Sequence, residues 1–101
     1  MILHTVNKSP FEKNSLESCL QHAQKGSAVL LIEDGVFGAT KGTKISDRVS
    51  EAMSNDITVY ALEGDLKARG VADKVMDGVK LVDYAGFVDL SVDQDKVQAW
   101  L

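Results

Sequence analysis

Apolar residues along this chain follow two rhythms: short unbroken or alternating runs, and longer stripes at helical spacing. The runs fall at positions 2–6, 28–32, 57–62, 79–82 and, more weakly, 97–101, and they predict five strands. Residues 28–32 (AVLLI) are apolar throughout, as expected of a central strand covered on both faces.

The stripes lie between the runs. Leu16, Cys19, Leu20 and Ala23 share one face of a predicted first helix. That helix follows Pro10, with Asn14 or Ser15 as its cap and Gly26 as its stop. Ile45, Val49, Ala52 and Met53 form a second stripe that begins near Ser46 or Asp47. Residues 65–69 make a short helical turn closed by Gly70. Asp83 caps a last helix with Tyr84, Phe87, Val88 and Ser91 along one side. The order β-α-β-α-β-α-β-α-β predicts one α/β domain over residues 1–101, with a mainly parallel sheet. Asn7, the Glu33-Asp34-Gly35 and Glu63-Gly64-Asp65 triplets and Asp83 all fall just after strands. The crevice outside the carboxyl ends of parallel strands is the usual ligand site, so this rim is the default place to look.

Composition narrows the partners. Hydrophobic residues make up 45% of the chain and charged residues 26%, the balance of an ordinary soluble globular domain. A net charge of -4, with basic residues scattered among acids, argues against direct nucleic-acid binding, which needs clustered cations. No apolar stretch approaches the roughly 20 residues that cross a bilayer. The first residues lack the pattern of a secretion signal, and the single cysteine has no internal disulfide partner. The expected location is the cytoplasm.

Cys19 is the one strong nucleophile. A thiolate attacks the sulfur of a persulfide or disulfide and can hold a terminal sulfur as a persulfide. His22 lies one helical turn away, where a protonated imidazole would favour the thiolate. The plainer reading is a buried packing group, because Cys19 shares its stripe with Leu16, Leu20 and Ala23. His4, between Leu3 and Thr5 in a strand, reads as a packed core histidine. Two histidines and one cysteine, without HExxH or CxxC, suggest no metal. Gly35, Gly38 and Gly42 match neither the dinucleotide nor the P-loop spacing, and Gly35 reads as a positive-φ turn. Ser9 and Ser15 have no nucleophile-elbow context. Glu33 and Asp34 point in opposite directions on an extended segment, so Asp34 reads as the cap of the next helix rather than half of an acid–base pair. Trp100 suits either an interface anchor or a cover for its own core.

Four segments, in order, carry a resemblance. They are residues 4–11 (HTVNKSPF), 30–36 (LLIEDGV), 59–70 (VYALEGDLKARG) and 82–88 (VDYAGFV), with Ala99-Trp100 near the end. Together they resemble the DsrH/TusB family across nearly the whole chain. The resemblance implies a Rossmann-like three-layer α/β/α fold. It also implies a cytoplasmic hetero-oligomer with DsrE/TusD-like and DsrF/TusC-like subunits that hands persulfide sulfur to a DsrC/TusE-like acceptor. In one branch that sulfur serves sulfur oxidation; in the other it serves 2-thiolation of wobble uridine in tRNA. The principal sulfur-carrying cysteine belongs to the DsrE/TusD-like subunit. DsrH-like members have a cysteine in the first helix, where Cys19 stands, and TusB-like members commonly lack it. The match favours the sulfur-oxidation branch and makes Cys19 the candidate secondary sulfur acceptor.

Three roles therefore remain open: a sulfur-carrying subunit, a purely structural subunit, and an independent ligand-binding domain using the strand-end rim. The sulfur-relay role requires no cofactor or metal, since sulfane-sulfur exchange is displacement between thiols. Away from partners, the surface they would cover is available to pair with a copy of itself.

Overall fold

The uninterrupted apolar run becomes β2 (Ala28–Leu31), a strand buried along its whole length at the middle of a sheet. The computed structural model describes residues 2–101. Its other strands are β1 (Ile2–Val6), β3 (Thr58–Leu62), β4 (Lys80–Val82) and β5 (Lys96–Trp100). All pairings are parallel and the order is β4-β3-β2-β1-β5. The helices are α1 (Ser15–His22), α2 (Ser46–Ser54), α3 (Glu63–Ala68) and α4 (Tyr84–Asp93). Two 3₁₀ segments, Glu33–Ala39 and Ala72–Lys74, complete the chain.

Strand order decides which face each helix covers. From β1 to β4 the chain steps steadily in one direction, and right-handed crossovers then place every connection on the same side. The step from β4 to β5 runs back past β1, which puts α4 on the opposite side. Packing agrees. The first face joins Val6, Val29, Leu31, Val59 and Ala61 of the strands to Leu16, Cys19, Val49 and Leu66 of α1, α2 and α3. The second face joins Leu3, Ala28 and Leu30 to Phe87 and Leu90 of α4. This is the three-layer α/β/α arrangement that the resemblance implied.

Several local expectations need correction. Neither Asn14 nor Asp34 caps a helix: α1 begins without a side-chain cap, and Asp34 pairs with Arg69 instead. Helix α1 stops at His22, before Gly26, because Ala23 is already extended. Gly26, with φ +87°, instead turns the chain into β2 and donates its N–H to the Asp56 carbonyl. Gly35 does not adopt positive φ; Glu33 does, at +50°. Gly35 is needed for close approach, since a Cβ there would collide with the Val6 carbonyl. Asp83 caps α4 as expected, accepting the Gly86 N–H at 2.8 Å, and Gly70 closes α3 with φ +68°.

Candidate functional site

Cys19 sits on the inward face of α1 with Leu16 and Leu20, and its residue is 0% exposed. Burial without a charged partner disfavours the thiolate and pushes the thiol up to about 12. At pH 7 such a thiol stays protonated. His22 does not offset this. Its Nδ1 lies 2.8 Å from the Ser18 carbonyl, which only accepts, so Nδ1 carries the proton and points back along the helix. The His22 ring faces Trp100, with centroids 5.6 Å apart.

Trp100 covers part of its own subunit's core. Its indole packs on the first-face core and its Nε1 donates to His4 Nδ1 at 3.0 Å. His4 is buried in β1, and accepting that bond requires an unprotonated Nδ1. Burial, reinforced by the nearby His22, holds the His4 pKa below its ordinary value. His4, His22 and Trp100 thus form a cluster that fastens the edge strand β5 to β1 and α1.

Ion pairs tie together the parts of the strand-end rim that follow β2 and β3. Arg69 Nε reaches Asp34 at 2.9 Å and its Nη1 lies 3.6 Å from Asp65. Asp65 also accepts the Glu33 N–H at 2.6 Å, which holds the left-handed turn leaving β2. Sequence reading placed Asp34 and Asp65 on this rim but not Arg69. The i,i+4 spacing of Asp65 and Arg69 was a visible signal; the link to Asp34 spans 35 residues and was not. Asn7 Oδ1 is buried at the end of β1 without a hydrogen-bond partner among the described residues. A cleft of about 660 Å³ opens elsewhere, between the β1–α1 loop (Pro10, Phe11) and the start of α2 (Ile45, Arg48). No rim residue lines it. Cys19 does not line it either.

Comparison with known proteins places this arrangement. The family model described as DsrH like protein matches residues 8–97. The chain belongs to the DsrH-like family. Protein TusB of Pectobacterium parmentieri is 33% identical over 99 residues, covering 98% of this chain and all of the relative. Protein TusB of Escherichia coli K12 is 34% identical over the same shares. The crystal structure of the YchN protein from E. coli superposes with a TM-score of 0.85 over 97% of each chain at 19% identity, a likeness of fold. Family membership points to a subunit of a multi-subunit sulfur relay, as the resemblance implied. Among the described residues no cluster of His, Cys, Asp and Glu could hold a metal ion, and no helix is long and apolar enough to cross a membrane.

Proposed function

We propose that this chain is an assembly subunit of a cytoplasmic sulfur relay, with the thiol chemistry carried by its partners. The observation that supports this is the burial of its one thiol, which keeps Cys19 both out of reach and protonated. The partners are DsrE/TusD-like and DsrF/TusC-like subunits, and the sulfur leaves on a DsrC/TusE-like acceptor. The TusB name of the curated relatives favours wobble-uridine 2-thiolation as the destination. The test is intact-mass measurement of the purified protein after incubation with a persulfide donor. Native protein is expected to gain no sulfur, and Cys19→Ala is expected to behave identically. A gain of one sulfur that vanishes in the variant would overturn the scaffold reading.

A second reading has one specific support. Cys19 occupies the first-helix position at which DsrH-like members carry a cysteine, which favours a secondary sulfur acceptor in sulfur oxidation. That role requires α1 to release Cys19 within the complex. Wobble 2-thiouridine content in a strain lacking this chain separates the destinations. Loss of the modification supports tRNA thiolation; an unchanged level alongside impaired sulfur oxidation supports the other branch.

A further inference from the structure

Helix α4 differs from every other helix in this fold. It is rich in apolar residues, yet none of its residues is buried. Phe87 and Leu90 face the sheet. On the far side Tyr84, Val88 and Val92, spaced i, i+4, i+8, are 71%, 46% and 77% exposed. A helix with apolar residues on both sides is one that packs on both sides. The sheet on this side also keeps apolar surface in water. Val97 of β5 pairs with Leu3, so it shares the α4 face, and it is 47% exposed. Tyr84 is held edge-on against Phe87, with centroids 5.9 Å apart. A braced aromatic side chain of this kind loses little freedom on docking.

The charges along α4 say what kind of surface covers it. Asp89 and Asp93, again spaced i, i+4, run beside the apolar stripe, and α4 contains no basic residue. Like charges at that spacing repel within the helix. Two copies related by a two-fold axis through this helix would set acid against acid. We infer that the outer face of α4, with Val97, docks a protein of different sequence whose apolar groove is bordered by Lys or Arg. This rests on the hetero-oligomeric reading above and names the surface that makes it. The Asp89/Asp93 stripe meets the basic border, while Tyr84, Val88 and Val92 fill the groove.

The experiment co-expresses this chain with the DsrE-like and DsrF-like subunits of the same source and follows co-elution by size exclusion with light scattering. Three forms are compared: wild type, Val88→Lys/Val92→Lys, and Asp89→Asn/Asp93→Asn. Thermal unfolding of each form alone checks that the fold is kept. The wild type is expected to co-elute. The lysine variant is expected to elute alone, with affinity lowered more than about tenfold. The asparagine variant is expected to bind more weakly and to lose the sensitivity of binding to added salt. Undiminished co-elution of the folded lysine variant would overturn the inference. A wild-type homodimer that the lysine variant turns into a monomer would also overturn it, since the occupant would be a second copy. Unchanged affinity in the asparagine variant would overturn the basic border. Failure of the wild type to co-elute with either subunit would instead defeat the sulfur-relay reading, and this inference with it.

Discussion

The two faces of the sheet are built to different standards. On one side three helices and a 3₁₀ segment press Leu16, Cys19, Val49 and Leu66 onto Val29, Leu31, Val59 and Ala61, all of them fully or nearly fully buried. On the other side a single helix, with none of its residues buried, packs through Phe87 and Leu90 onto Leu3, Ala28 and Leu30. The closed face holds the free energy of folding, because burial of apolar area and close packing are concentrated there. The open face keeps apolar surface in water, which lowers solubility and gains nothing unless a partner removes it. The only thiol lies on the closed face, and the exposed Tyr84, Val88 and Val92 lie on the open one. Stability and association are thus assigned to opposite sides of one sheet, and the chemistry-bearing residue went to the side that seals it.

That division can be broken by substitution. Leu31→Ala, in the middle of the closed face, should cost about 2–5 kcal/mol in urea unfolding through lost burial and the cavity left behind. A cost under about 1 kcal/mol would mean that the closed face is not the stable one. Trp100→Phe keeps most of the apolar cover but strands the buried His4 Nδ1, and should cost about 1–3 kcal/mol. The same site sets a pH dependence. The native pKa of His4 lies below the ordinary 6.5 because of burial and then His22, so the unfolded chain binds the proton more readily. The stability this confers is complete above 6.5 and is lost as pH falls from there through the lowered native value. Comparing urea midpoints at pH 7.5 and 5.5 should show that decline, and His4→Asn, which preserves an acceptor, should flatten it. Val92→Ser on the open face should shift stability by no more than about 0.5 kcal/mol. A large loss there would show α4 to be part of the core after all.

Much of the closed face was readable from the chain. Residues 2–6 are apolar at both ends and 28–32 are continuously apolar, and both strands form within one residue of those limits because the sheet buries them on both sides. The stripe of Leu16, Cys19 and Leu20 already placed the thiol among core residues. The Glu33–Ala39 segment was missed because Gly35 and Gly38 suggest turns. Its signal was the three-residue spacing of Val36 and Ala39, which brings both onto one side of a 3₁₀ helix. Gly35 could not be understood locally, since the atom that forbids a side chain is the carbonyl of Val6, far away in sequence. For α4 the pattern grouped Tyr84 and Val88 with Phe87, yet only Phe87 turns inward. With apolar residues on both sides, periodicity does not say which side meets the sheet; the return crossover to β5 does.

The central claim is that the fold seals its thiol, and native-state alkylation of Cys19 tests it most directly. Iodoacetamide labelling of the folded protein at pH 8 should run at least about 100-fold slower than labelling of the same chain in 6 M guanidinium, because burial removes access and pushes the thiol up to about 12. Native labelling within about tenfold of the unfolded rate would mean that Cys19 is open and ionised, and the carrier reading would then replace the scaffold.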